Sequence, residues 1–328
     1  MPTVALIGCG RIAHLLEADA LRYKPCTHLG ALRYWAKKNK NIHLAYCCDS
    51  DLDRAKKAAD FFAFQKKAPF VIKDPTAIFE ARPDILIIAS TTHTHFELIR
   101  RAVAAKIKTV IVEKPVCITA SEANELKRLV KKSKTKIAVN YERRYHAKYQ
   151  KLKRLIQNNN ENVSYRALLC AGGNRLTADL KTANEGVLLH DTTHLLDLAQ
   201  YLFGQVRQTE SILQSSRHIL NVEHTDGATG SIETVLNAGV FHFEIEIRLS
   251  HKRICVGNGF WREEKIISSP HYKKFRSYGP ALTIPEPPMT IKQNPFVRLY
   301  QDALGGSCST EGFFEACENV RILTRVGD

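Results

Sequence analysis

The chain has 328 residues, 44% hydrophobic and 25% charged, a length and balance that suit two globular domains with sizeable cores. Against 33 acidic residues stand 48 basic ones, a net charge of +15. Much of that charge lies in Lys127-Arg128, Lys131-Lys132, Lys134 and Lys136 and reads as a solvated helix face, although a basic field can also steer anionic ligands. With no zinc-finger spacing and no aromatic-rich RNA-binding strand pattern, nucleic acid is a minor reading. No apolar run approaches a membrane span, and no secretory signal is expected at the N-terminus. Nine cysteines without a C-x-x-C rhythm read as reduced thiols in a cytoplasmic protein.

The first element is an apolar run, residues 3–7, that breaks at Gly8-x-Gly10-x-x-Ala13 and leads into a helical pattern through Ile12, Leu15 and Leu16. This is the strand–turn–helix of a dinucleotide site. Gly8 permits the tight turn, Gly10 lets backbone approach a pyrophosphate, and Ala13 lets helix pack on strand. The backbone at Arg11 and Ile12 then offers helix N-terminal N–H groups to the phosphates. A second strand, residues 42–48, ends at Asp49. An acidic side chain there accepts from the adenosine ribose and repels a 2′-phosphate, and no arginine follows, so NAD is favoured over NADP. Asp49 as a helix N-cap is the plainer alternative. Asp49 stands about twice the usual ~20 residues beyond the glycines. The extra material, residues 19–41, reads as an insertion between the first helix and the second strand, either decoration or a loop over the dinucleotide.

A helix is expected over 53–64, a strand over 70–72 and a short helix over 75–81. The aliphatic strand 85–89 follows, with residues 90–95 (Ser-Thr-Thr-His-Thr-His) at its carboxyl end. After a helix over 96–105, strand 110–112 closes in Glu113-Lys114-Pro115. Ser121 caps a helix over 121–132, and strand 136–140 ends the domain. This α/β alternation implies a doubly wound parallel Rossmann sheet over residues 1–140, with ligands at the strands' carboxyl ends. Residues 141–157 read as a basic helical crossover. Beyond it, strand-like stretches at 163–169, 206–215, 228–237, 240–249 and 253–256 indicate an α+β domain with an open, largely antiparallel sheet over 141–328. Helical patterns at 188–203, 295–303 and 312–324 complete it.

Two groups stand out chemically. Lys114, at a strand terminus beside a bound cationic nicotinamide, would have its ammonium form disfavoured and could polarise a substrate hydroxyl. A surface lysine paired with Glu113 is the plain alternative. On a helix His190, His194 and Asp197 share one face, and a histidine near neutrality suits removal of a hydroxyl proton. Two histidines satisfied within a cleft, or a zinc pair in His190-Asp191-x-x-His194, are the competing readings; no third ligand stands at a recognisable spacing, so no metal is expected.

Gly8-x-Gly10-x-x-Ala13, Thr91-Thr92-x-x-His95, Glu113-Lys114-Pro115, Asn140-Tyr141-x-Arg143-Arg144-Tyr145, Gly186-x-Leu188-x5-His194-x-x-Asp197 and the closing Asn294-Pro295-Phe296-x-x-Leu299-Tyr300 together resemble the Gfo/Idh/MocA family. The resemblance implies hydride transfer between NAD(P) and a sugar, polyol or related hydroxyl or keto compound, and assembly of the second domain into a homo-oligomer through its sheet. It implies Lys114 as the catalytic lysine and His194 as the acid/base, paired with His190. Glu113 would contact the nicotinamide ribose, with Thr91, Thr92 and His95 lining the cofactor and Tyr141, Arg144 and Asp191 at the substrate. The family commonly has aspartate where His190 stands, with Asp191 beside it here. Arg143, Arg144, Arg175 and the net charge point to an anionic sugar, phosphorylated or nucleotide-linked. The alternatives are a redox-assisted NAD-dependent glycosidase of the same fold and a non-catalytic dinucleotide-binding regulator.

Overall fold

Val4, Ala5, Leu6 and Ile7 are all buried, odd and even positions alike, which a strand requires only when both faces of its sheet are covered. The computed structural model describes residues 2–39, 41–158, 163–171, 188–214 and 216–325. Its chain divides into two units, Met1–Gln150 with Met289–Thr324, and Lys151–Pro288 with Arg325–Asp328. The two C-terminal helices therefore fall with the first unit, where the sequence expectation had them in the second.

The first unit holds six strands: β1 (Thr3–Ile7), β2 (His43–Cys48), β3 (Phe70–Ile72), β4 (Ile85–Ile88), β5 (Thr109–Val112) and β6 (Lys136–Val139). Their order is β3-β2-β1-β4-β5-β6, all parallel. Helices α1 (His28–Lys38), α2 (Leu52–Phe61), α3 (Thr76–Ala81), α4 (His95–Ala104) and α5 (Ala120–Lys131) connect them, and α6 (Glu142–Tyr145) follows β6. Two more arrive from the chain's end, α9 (Pro295–Leu304) and α10 (Glu311–Thr324). Phe296, Leu299 and Tyr300 of α9 join Leu29 and Leu32 of α1 and Val4 and Leu6 of β1 in one core. Helix α10 packs on α5 and β6. Helix α5 is capped by Thr119 in a reciprocal pair with Glu122, not by Ser121, because Thr119 is the residue three before the glutamate that returns the bond.

The expected helix directly after the glycine turn is interrupted. Its first turn forms, with the His14 N–H donating to the Gly10 carbonyl. The chain then loops out through a 3₁₀ turn at Leu15–Ala18 and returns at α1. There the N–H groups of His28 and Leu29 donate to the carbonyls of Ile12 and Ala13, at 3.1 and 2.8 Å. The helical ladder resumes across the excursion, as though residues 15–27 had been spliced into it. The insertion thus begins earlier than residue 19, and about half of the expected stretch 19–41, residues 28–38, is the Rossmann helix itself. Glu17 holds the return: its Oε1 accepts from the Cys26 N–H (2.7 Å), the Thr27 N–H (3.1 Å) and the Thr27 hydroxyl (3.0 Å). Gly30 lies against that carboxylate, since a Cβ there would sit 1.9 Å from Oε1. Glu17→Ala leaves these donors without their acceptor and should lower stability by about 1–3 kcal/mol in urea denaturation. An unchanged midpoint would show that the excursion is held elsewhere.

The second unit carries α7 (Ala147–Gln157), which begins within the first, then β7 (Ser164–Cys170), a π-helical turn at Leu188–Thr192 and α8 (Thr193–Phe203). Eight strands follow: β8 (Val206–Gln214), β9 (Arg217–His224), β10 (Thr229–Val235), β11 (His242–Arg248), β12 (Lys252–Gly257), β13 (Phe260–Ser268), β14 (Arg276–Tyr278) and β15 (Leu282–Pro285). The sheet runs β14-β13-β12-β11-β7-β10-β9-β8, with β15 on β13. Within this second sheet, only β7 with β10 pairs parallel among the described strands. Tyr165 of β7 stacks on Phe203 of α8 at 4.4 Å and 9°, so α8 covers that face. His224 ties the two, its Nε2 2.9 Å from the Tyr165 hydroxyl and its Nδ1 2.8 Å from the Gly204 carbonyl. Among the described residues no helix is long and apolar enough to cross a membrane.

Candidate active site

Strand pairing brings the expected cofactor residues to one edge. Ile7 pairs with Cys48 and with Ile88, so Gly8, Asp49 and the Ala89–Ser90 turn are neighbours at the carboxyl ends. Gly8 has φ of 88°, and a Cβ there would lie 2.3 Å from the Ser90 nitrogen. Only glycine allows that conformation and that approach. Gly10 differs: a Cβ on it would meet nothing within 4 Å. The N–H groups of Gly10, Arg11 and Ile12 find no acceptor among the described residues. Asp49 is fixed at both oxygens, Oδ2 accepting the Cys9 N–H (2.7 Å) and Oδ1 the Asp51 N–H (2.9 Å). It is not the helix cap, a role that Asp51 takes for α2. Open space above Gly10, free donors beside it and an oriented carboxylate suit a dinucleotide.

Val112 pairs with Val139, so the residues that follow, Glu113 and Asn140, stand side by side. Asn140 Nδ2 donates to Glu113 Oε1 at 2.6 Å, and His28 Nε2 lies 2.9 Å from the same oxygen. His28 is fully buried, and its Nδ1 is 3.0 Å from the Tyr300 hydroxyl of α9. Burial pushes the Glu113 carboxyl up, but the bonds from His28 and Asn140 and the Lys114 charge outweigh it and leave it below the usual carboxylate range. Asn140 Oδ1 is buried with no donor, and Glu113 Oε2 has no partner among the described residues. Lys114 is next, half-buried, joined to Pro115 by a cis peptide.

Not every expected residue faces that edge in the same way. Thr91 is exposed and Thr92 buried, in the short turn after β4. His95 is buried, with Nδ1 2.7 Å from the Pro115 carbonyl and Nε2 3.1 Å from the Ser90 carbonyl. Its ring thus ties the β4 and β5 turns together behind the edge. Tyr141 is only 2% exposed, and the Arg144 guanidinium pairs with Glu315 of α10. Both are set in the packing of α6.

In the second unit, Thr192 of the π-helical turn bonds Thr234 of β10, hydroxyl to hydroxyl at 2.9 Å. That anchors the segment carrying His190, Asp191 and His194. His190 Nδ1 lies 2.9 Å from Asp191 Oδ1, so the acidic partner is supplied by the next residue. His194 is half-buried in the first turn of α8, and Asp197 is buried. Gly186 and Arg175 lie outside the described residues. No metal-binding cluster of His, Cys, Asp and Glu occurs among the described residues.

The sequence reading missed His28 and Tyr300 as members of the Glu113 cluster. Thr27 followed by Leu29, Leu32 and Ala36 marks a capped helix start, and Thr27 does accept from the Gly30 N–H; that signal places His28 at a helix N-terminus but not beside Glu113.

Residues 3–141 match the family described as "Oxidoreductase family, NAD-binding Rossmann fold", GFO_IDH_MocA. The match lies within the N-terminal unit, over the strands and turns that form the Rossmann sheet. Among similar proteins, myo-inositol 2-dehydrogenase of Thermotoga maritima is 24% identical over 50% of this chain and 48% of its own. D-glucoside 3-dehydrogenase of Escherichia coli is 26% identical over 61% of this chain and 54% of its own. The chain thus spans about half the length of these curated relatives. Over almost its whole length the fold is that of levoglucosan dehydrogenase in complex with NADH, with a TM-score of 0.77 at 18% identity, covering 99% of this chain and 96% of that one. A dehydrogenase from Chromobacterium violaceum gives the same score at 19% identity, covering 100% and 94%.

Proposed function

We infer that the chain is an NAD-dependent oxidoreductase that moves hydride between the nicotinamide cofactor and a hydroxyl or keto group of a sugar, polyol or sugar derivative. The observation that carries this is Glu113-Lys114-Pro115 at the carboxyl end of β5, on the edge that also bears the glycine turn, in an NAD-binding family domain. The names of the similar dehydrogenases, for inositol, a glucoside and levoglucosan, support the substrate class. When bound, NAD supplies the hydride acceptor. In the oxidative direction His194 takes the hydroxyl proton, and Lys114 stabilises the oxygen as negative charge develops on it. His190, paired with Asp191, assists as the second imidazole.

The test is a panel of sugars, polyols, sugar acids, sugar phosphates and sugar nucleotides followed by NADH absorbance. NADH formation with one of them supports this reading. Product release with no net NADH would instead mark a redox-assisted glycosidase, and NAD binding with no turnover a regulator.

A fixed carboxylate at Asp49 also supports NAD over NADP. Asp49→Asn removes the charge and keeps an acceptor oxygen, so NADPH affinity relative to NADH should rise about tenfold, roughly 1.4 kcal/mol. No shift in that ratio would remove Asp49 from the discrimination. The open face of the second unit's sheet suits a homo-oligomer contact, to be checked by analytical ultracentrifugation. Nine unpaired thiols suit a cytoplasmic setting.

A further inference from the structure

We propose that His28 is a positioning residue for Glu113, holding that carboxylate with Oε1 engaged so that Oε2 is the oxygen presented to a ribose hydroxyl of the cofactor. The second half of this statement rests on the NAD reading above; the pairing itself rests on geometry.

An ionised carboxylate only accepts, so Glu113 Oε1 needs donors, and His28 Nε2 and Asn140 Nδ2 are at 2.9 and 2.6 Å. An imidazole protonated on Nε2 has an acceptor on Nδ1, which the Tyr300 hydroxyl meets at 3.0 Å. One tautomer therefore satisfies the whole chain, from Tyr300 to His28 to Glu113, and each bond polarises the next. Tyr300 and His28 are both fully buried, and Phe296 packs its ring edge-on to the imidazole at 5.6 Å. The histidine is thus locked in place while Glu113 keeps a side-chain exposure of 12%.

Two acceptors are left wanting donors, Glu113 Oε2 and the buried Asn140 Oδ1. A hydroxyl-bearing ligand is the chemistry that supplies donors, directly or through a held water. The arrangement depends on the excursion. His28 is the first residue after it, and its N–H is fixed on the Ile12 carbonyl beside the glycine turn. The excursion therefore delivers one imidazole to the far side of the sheet edge, from β1 to the end of β5.

The experiment is NADH titration by fluorescence, with thermal melting alongside, on the full chain and on His28→Ala, His28→Gln, Glu113→Gln and the double variant His28→Ala/Glu113→Gln. His28→Ala should weaken NADH about tenfold, and His28→Gln, whose amide can still donate, should recover to within about threefold. The double variant should bind NADH within about twofold of Glu113→Gln alone, because His28 acts through that carboxylate. Independent losses that multiply, or a glutamine no better than alanine, would overturn the proposal whatever the melting temperatures. If His28→Ala does not fold, Tyr300→Phe takes its place in the cycle. It should weaken NADH by about threefold and add nothing to Glu113→Gln; an unchanged affinity overturns the chain. A parent protein that fails to bind NADH overturns the NAD reading and this one together. A parent that binds normally with an indifferent His28→Ala overturns only this one.

Discussion

Lys114→Met is expected to lower turnover by about 10²–10³-fold while NADH affinity stays within a few-fold. The methionine keeps the length and apolar stem and removes the ammonium, the group assigned to stabilise the developing oxyanion. Stabilisation of charge that appears only in the transition state changes the chemical step and leaves ground-state cofactor binding nearly alone. Lys114 follows directly on Glu113, whose N–H donates to the Ile88 carbonyl at 2.9 Å and whose carboxylate is held by His28 and Asn140, so the residue that precedes it is fixed to the sheet. Single-turnover kinetics with the substrate found in the panel would measure the loss. A variant that turns over within a few-fold of the parent would take Lys114 out of the mechanism. His194→Ala belongs in the same series, with most turnover lost and NADH retained; a parallel collapse of cofactor affinity would assign it to structure instead.

The second large effect separates two glycines that look alike in the motif. Gly8→Ala should destabilise the fold by about 2–4 kcal/mol, combining a strained backbone with an overpacked contact. The strain is its φ of 88°, and the contact is 2.3 Å to the Ser90 nitrogen and 2.4 Å to the Ala89 carbonyl carbon, both main chain. Neither can yield without parting β1 from β4. Gly10→Ala should leave the urea midpoint unchanged, since its Cβ meets no atom within 4 Å. It should nonetheless weaken NADH by about tenfold or more, because that methyl would enter the space assigned to the pyrophosphate. Equal NADH affinity in Gly10→Ala and the parent would move the phosphates elsewhere.

These contrasts show what could be read in advance. The glycine turn, Asp49 at the end of β2 and Glu113-Lys114-Pro115 at the end of β5 were legible because each follows a short aliphatic run, and parallel strands place their carboxyl ends together. The interrupted helix was not. Ile12, Leu15 and Leu16 have helical spacing, yet Leu15 is 44% exposed and Leu21 98% exposed, so the apolar period belonged to an excursion. His95, Tyr141 and Arg144 were identified as site residues by their place in motifs. Among the described residues they also meet the Ser90 and Pro115 carbonyls, the core and Glu315, contacts that the motifs do not announce.

The amino-acid sequence by itself determined the parallel sheet of the first unit, the glycine turn at its edge and the largely antiparallel character of the second sheet. Those depend on patterns a few residues long, where periodicity and turn chemistry act locally. Tertiary structure alone decided that residues 15–27 leave the helix, that α9 and α10 return to the first unit, and that His28, Asn140 and Tyr300 gather around Glu113. Contacts between residues as far apart as His28 and Tyr300 are fixed by the packing of α1 on α9, and no local pattern in either segment carries that information.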